Sequence, residues 1–280
     1  MNNFAKRTLT GIIFVGILLG AIIYNALSFA ALFCIITGLA LWEFYGLLKD
    51  CEISKGKRIA STVGGMYLFA ACFIQANGLG SGQVFLPYLL FIIYTFIHEL
   101  YSKAASPIHN WSYILLGQIY CAGSFSMLNF LSIPNGSELI ETNFTYSPLF
   151  ILAIFIFVWI NDTGAYLVGS RIGKRRLFER ISPKKSWEGF IGGLVFVLLA
   201  SQFFAYYTSE ISNLQWLGLA ATIVIFATWG DLTESLLKRT LGVKDSGNLL
   251  PGHGGVLDRF DSVIMATPAA YIYIELFIRN

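Results

Sequence analysis

The sequence predicts an all-α integral membrane protein that crosses the bilayer about nine times, with a cytoplasmic N-terminus and an external C-terminus. Three observations carry this expectation. The chain has 280 residues, of which 56% are hydrophobic and only 12% charged, with a mean hydropathy of +0.66; soluble domains carry about 25% charged residues. Apolar runs recur at close to the roughly 20 residues that a spanning helix needs. The runs are continuous and lack the period-2 alternation of a barrel strand, so helix is the spanning form that remains.

The spans are read at about 8–26, 28–48, 58–77, 83–101, 111–133, 147–169, 187–208, 214–237 and 256–278. The first two are separated only at Tyr24-Asn25 and should form a tight antiparallel hairpin. Lys6-Arg7 and Ala26-Leu27-Ser28 loosely imitate a signal peptide and its cleavage site. The second apolar run begins at once, however, so the segment reads as an uncleaved anchor.

Charge placement orients the bundle. Lys6, Arg7, Lys49, Lys55, Lys57, Arg58 and Lys103 fall on one side if nine spans are correct, as do the basic residues between 171 and 185 and those from Lys238 to Arg259. The alternate connections carry Glu138, Glu141 and Glu210 and neither Lys nor Arg; only Arg279 is an exception. The positive-inside rule makes the basic side cytoplasmic. The net charge of +3 adds little alone, and no nucleic-acid partner is expected; the lipid bilayer is. Cys34, Cys51, Cys72 and Cys121 show no C-x-x-C pairing and read as ordinary apolar-site thiols.

Two halves are expected, a scaffold over 1–145 with five spans and a catalytic half over 146–280 with four. In the first half, Glu43 and Glu99 lie near the cytoplasmic ends of their spans. Interfacial placement accounts for them; contact with an active-site cation is the functional reading. His98 and His109 lack metal-ligand spacing and read as interfacial. Residues 134–148 read as an outer loop, and Gly64-Gly65 and Gly192-Gly193 as points of close helix approach.

The second half carries the chemistry. Asn161 and Asp162 place an amide and a carboxylate inside the sixth span, where ionisable groups are costly and usually functional. The basic loop after it ends in Ser182-Pro183-Lys184-Lys185-Ser186-Trp187-Glu188-Gly189. Ser186 is placed to cap the next helix with Glu188 in its first turn, which sets Lys184 and Lys185 at an anion-favouring helix N-terminus. Further on, Asp231, Glu234 and Lys238 share a helix face, as do Asp258 and Asp261 on the following helix. Carboxylates at two helix ends joined by a Gly-rich loop suit Mg²⁺ and a phosphate. Lys238, Arg239, Lys244 and Arg259 supply charge to neutralise that phosphate.

The stretch Ser235 to Asp261 resembles the phosphatidate cytidylyltransferase family. It carries Ser-x-apolar-Lys-Arg, four residues, Lys-Asp, then Pro-Gly-His-Gly-Gly-apolar-x-Asp-Arg-apolar-Asp. Asn161-Asp162-Thr163-Gly164-Ala165-Tyr166, the Ser182 to Gly189 run and Gly230-Asp231 are similar to that family too; Ser186 stands where Thr is common there. The resemblance covers 161–261. It implies cytidylyl transfer from CTP to phosphatidic acid, a homodimer, and a place in the inner (plasma) membrane with the site on the cytoplasmic face. On this reading Asp231, Asp258, Asp261 and Asp162 hold Mg²⁺, with room for a second cation such as K⁺. Lys238, Arg259 and His253 join the three first-named acids in catalysis, His253 either donating to a phosphate or stabilising its loop. Substrate contacts fall to Asn161, Asp162, Lys184, Lys185, Ser186, Arg239, Lys244, Asp245, Gly254 and Gly255. The competing classes are an ion-coupled transporter, which should show paired repeats with broken helices, and another membrane phosphotransferase such as a lipid kinase.

Overall fold

The computed structural model describes residues 3–48, 53–133, 146–249 and 254–279, with side chains from residue 8. Its helices are α1 (Asn3–Tyr24), α2 (Ala26–Leu47), α3 (Lys55–Ala76), α4 (Leu86–Tyr101), α5 (Pro107–Gly117), α6 (Ser124–Leu131), α7 (Leu149–Ile172), α8 (Trp187–Tyr207), α9 (Asn213–Thr240) and α10 (Leu257–Phe277). A π-helical turn, Gln118–Gly123, joins α5 to α6, so the two form one span, Pro107–Leu131. Among the described residues, eight helical segments are long and apolar enough to cross a membrane, and α1 adds a shorter apolar stretch, Thr8–Tyr24. The chain is thus an all-α polytopic membrane protein, and every expected span has its helix. Cys51 and most of the expected outer loop lie outside the described residues.

By contacts the chain divides into two units. One comprises Met1–Pro148 with Asp245–Arg259, the other Leu149–Lys244 with Phe260–Asn280. The segment Asp245–Arg259, which the sequence reading set in the second half, thus groups with the first.

In the first unit, Asn25 ends one helix and starts the next. Its Oδ1 accepts from Ser28 N–H at 2.8 Å, while Ser28 Oγ accepts from Asn25 N–H at 3.2 Å, a reciprocal capping box that fixes the hairpin. The core is aromatic: Phe29, Phe33, Phe69 and Phe125 are fully buried, with Phe29 and Phe33 rings 5.0 Å apart. Gly65 lets α3 approach Leu41 and Ala122, and Gly64 lets it approach Phe91. Buried polar side chains in this unit link its helices where they find partners. Buried Gln118 donates to Ser61 O at 2.8 Å and to Tyr45 Oη at 2.9 Å. Glu99, in the last turn of α4, is held by protein partners. It is 3% exposed, its Oε2 is 2.5 Å from Lys57 Nζ, and its Oε1 accepts from Asn110 Nδ2.

The second unit packs around Trp216, which is fully buried against Phe150, Phe157 and Phe204. The expected close approach at Gly192-Gly193 is present: Gly192 admits Val168 and Gly193 admits Asn161, which brings α8 onto α7. Between these helices lies a hairpin the sequence reading left as loop. Strand β1 (Arg176–Phe178) pairs antiparallel with β2 (Ser182–Ser186), with an irregular register between Arg176↔Ser186 and Phe178↔Ser182. Strands of three and five residues, Arg-Leu-Phe and Ser-Pro-Lys-Lys-Ser, are too short and too polar to show apolar alternation, so they leave no periodic signal.

Candidate active site

The second unit holds a cavity of about 570 Å³. One wall is α7, through Asn161, Asp162, Ala165 and Gly169, with Gly173 just past its end; the hairpin adds Arg176, Ser182, Lys184 and Lys185; α8 adds Gly189 and α9 adds Thr228. The α7 helix runs unbroken through Asn161 and Asp162, so these polar groups project from a regular span.

Local structure explains how the hairpin is held. Ser186 caps α8, its Oγ accepting from Gly189 N–H at 3.1 Å. Glu188, in the first turn, accepts from Lys174 N–H at 3.0 Å and Arg175 N–H at 3.2 Å. Trp187 N–H then donates to Arg175 O at 2.9 Å. The sequence reading foresaw the cap and the acid; it did not foresee that the acid's partners are the backbone at the start of the hairpin. Small residues permit the tight crossing: a Cβ on Gly189 would lie 2.9 Å from Ala165 O, and one on Gly169 would lie 3.3 Å from Gly189 Cα.

Lys185 does not stand alone in this cavity. Its Nζ is 2.5 Å from Asp231 Oδ2, and Asp231 Oδ1 accepts from Ser235 Oγ at 3.2 Å. One turn along α9, Lys238 Nζ is 2.8 Å from Glu234 Oε2, with Glu234 fully buried. Gly230 brings α9 against α10, since a Cβ there would sit 2.6 Å from Asp261 O. That contact places Asp261 within the electrostatic reach of Asp231, Glu234 and Asp162. Four carboxylates thus gather near two ammonium groups, with Asp162 exposed, Asp231 and Asp261 half-buried and Glu234 buried, and each carboxylate disfavours charge on its neighbours.

The chemistry of this donor set fits Mg²⁺. The donors are hard carboxylate oxygens, as that ion prefers. Among the described residues, no three His, Cys, Asp or Glu side chains converge into a cage. Mg²⁺ asks for one or two carboxylates plus water and substrate phosphate oxygens rather than a full protein cage.

The sequence-predicted acids therefore divide. Asp162, Asp231 and Asp261 belong to the second unit; Asp258 belongs to the first. Asp258 Oδ2 accepts from Ser246 N–H at 2.9 Å and Gly255 N–H at 2.8 Å. Gly254, at φ +80°, and Gly255 let the backbone close on this carboxylate. The glycines were expected to approach a substrate anion; the anion they approach here is the chain's own. Arg239, Lys244, Asp245 and Arg259 are exposed, and Arg239 Nη1 donates to Val243 O at 3.3 Å. Lys184 is exposed on the cavity edge. His253 lies outside the described residues. Arg176 and Ser182 are cavity residues beyond those expected to touch substrate; Ser182 opens the family-like run to Gly189, and Arg176 was marked only by its place in the basic loop.

Comparison with known proteins gives concordant matches. A model described as the cytidylyltransferase family matches residues 5–277. The phosphatidate cytidylyltransferase of Bacillus subtilis (strain 168) is 33% identical over 281 residues, covering 99% of this chain and 100% of that protein. The phosphatidate cytidylyltransferase of Haemophilus influenzae is 33% identical over 290 residues, covering 96% of this chain and 98% of its own. That of Staphylococcus haemolyticus is 48% identical over 127 residues, 45% of this chain and 48% of its own.

Proposed function

The chain belongs to the cytidylyltransferase family, and from that premise we propose how it works: it transfers the cytidylyl group of CTP to phosphatidic acid, giving CDP-diacylglycerol and pyrophosphate. The names of its full-length relatives support the substrates. The observation that carries the placement is the Lys185–Asp231 pair, which joins the basic hairpin at the cavity to the acidic face of α9. The transporter alternative finds no support: α7 is continuous, whereas carriers bind at discontinuous helices.

A phosphate oxygen of phosphatidate attacks the α-phosphorus of CTP. A new P–O bond forms as the bond to the β-phosphate bridge breaks, and pyrophosphate leaves with that electron pair. The attacking phosphate is already ionised near neutral pH, so the chain supplies no strong base. Its work is positioning and charge neutralisation. Lys184, Lys185 and Arg176 face the phosphates from the hairpin and cavity. Ser186 holds the end of β2 to the start of α8, whose N-terminus favours anions. Lys238 keeps Glu234 balanced within α9. One or two of Asp231, Asp261 and Asp162, with water and substrate phosphate oxygens, would hold Mg²⁺, which when bound offsets charge on the triphosphate and the departing pyrophosphate. With CTP bound, a second cation such as K⁺ would offset the remainder. Arg239 and Lys244 add positive charge near the end of α9.

By the resemblance drawn from the motifs, the enzyme works as a homodimer in the inner (plasma) membrane with its active face to the cytoplasm, where CTP is found. The test is incubation of the purified full chain with CTP, phosphatidate and Mg²⁺. A CDP-lipid with pyrophosphate supports the reading; release of CDP would mark a lipid kinase instead.

A further inference from the structure

Glu43 lies about one turn before the end of α2, far in sequence from every motif of the catalytic half. Its Oε2 accepts from Leu257 N–H at 2.9 Å and from Ser246 Oγ at 3.3 Å. Ser246 Oγ in turn accepts from Asp258 N–H at 3.2 Å. Leu257 and Asp258 open α10, where the leading N–H groups of a helix have no carbonyl of their own to bond. Glu43 therefore caps α10 from another helix, directly at Leu257 and through Ser246 at Asp258. A carboxylate also suits the positive end of the helix dipole.

Two glycines carry the imprint of this contact. A Cβ on Gly247 would lie 2.6 Å from Glu43 Oε1, and one on Gly255 would overlap Glu43 Oε2 and Ser246 Oγ. Gly247 and Gly255, on either side of residues 250–253, both lie against the Glu43 carboxylate. Glu43 Oε1 is buried without a hydrogen-bond partner among the described residues. A residue kept only for packing would not carry that desolvation cost, which an apolar side chain avoids.

We infer that Glu43 is a positioning residue for cytidylyl transfer: from α2 it fixes the start of α10, the helix that carries Asp258 and Asp261, without touching substrate. The kinetic part of its test rests on the transferase reading above; the exchange part does not.

The experiment compares wild type with Glu43→Ala and Glu43→Gln as full chains in lipid nanodiscs. It reads kcat and KM for CTP, together with backbone amide exchange. Glu43→Ala should lower kcat about tenfold or more with little change in KM. Exchange should speed up within residues 245–259 and stay as in wild type elsewhere. Glu43→Gln keeps one acceptor oxygen for Leu257 N–H and should recover kcat to within about threefold of wild type. Wild-type kcat and exchange in Glu43→Ala would overturn the inference. So would faster exchange through all helices, which marks a general stabiliser. Loss in Glu43→Gln as deep as in Glu43→Ala would overturn it too. A wild-type chain that makes no CDP-lipid would sink the transferase reading, while the exchange pattern still decides whether Glu43 caps α10.

Discussion

Lys185 Nζ stands 2.5 Å from Asp231 Oδ2, linking a strand of the basic hairpin to the acidic face of α9 across the second unit. The two side chains are 27% and 28% exposed. Such partly solvated pairs contribute at most about 1 kcal/mol to stability, so conservation of folding is expected when either is changed. Lys185→Ala should lower kcat/KM for CTP at least about tenfold and leave the thermal transition nearly unmoved. Steady-state kinetics alongside a melting curve check this; unchanged kinetics would return Lys185 to the role of a topology signal.

The acidic cluster gives the second expectation. Asp261 feels Asp231, Glu234 and Asp162 at once. Asp231→Asn and Asp261→Asn should each lose most activity, about tenfold or more, by removing charge from the proposed Mg²⁺ site. Folding should hold or improve, because Asn is easier to bury than one more carboxylate. A Mg²⁺ titration separates causes: a lost ligand raises the Mg²⁺ needed for half-maximal rate. A structural loss would lower the rate at every Mg²⁺ concentration alike.

Lys57 and Glu99 form a different kind of pair, with side chains 7% and 1% exposed. Removing one partner of a buried pair costs about 3–5 kcal/mol, because the other charge is left stranded. Lys57→Met should therefore destabilise the chain strongly, and Lys57→Met with Glu99→Leu should recover most of the loss. Thermal unfolding in detergent reads this. Equal melting temperatures for the single and double variants would show that the stranded charge is not the cause.

Topology follows from charge. A reporter fused after Arg180 should be cytoplasmic and one fused after Asn280 external, since with nine spans every Lys and Arg but Arg279 falls on one side. A cytoplasmic reporter at the C-terminus would put the span count off by one.

What the sequence could and could not disclose has physical causes. The spans are legible because an apolar run of spanning length has few other uses. The Ser186 cap is legible because a hydroxyl followed by an acid in the first turn is a local pattern. Gly230 beside Asp231 could be read as a motif, but not that its missing Cβ seats α9 on Asp261 O. Lys57 with Glu99, Lys185 with Asp231 and Glu43 with Leu257 are all long-range pairs. Spacing within one helix carries no information about them. The Gly254-Gly255 pair is expected from its motif to approach a substrate anion, and in the structure it lies against the carboxylates of Asp258 and Glu43. Which anion depended on where Asp258 points, and that is a matter of tertiary geometry.

The most direct test follows the label of CTP. CTP labelled at the α-phosphate is given with phosphatidate and Mg²⁺ to the purified wild-type chain and to Asp231→Asn. Cytidylyl transfer at the second-unit site predicts label in the lipid phase with wild type, one pyrophosphate per lipid formed, and at least about tenfold less with the variant. Label that stays in the aqueous phase with wild type, or equal transfer by Asp231→Asn, would contradict the account.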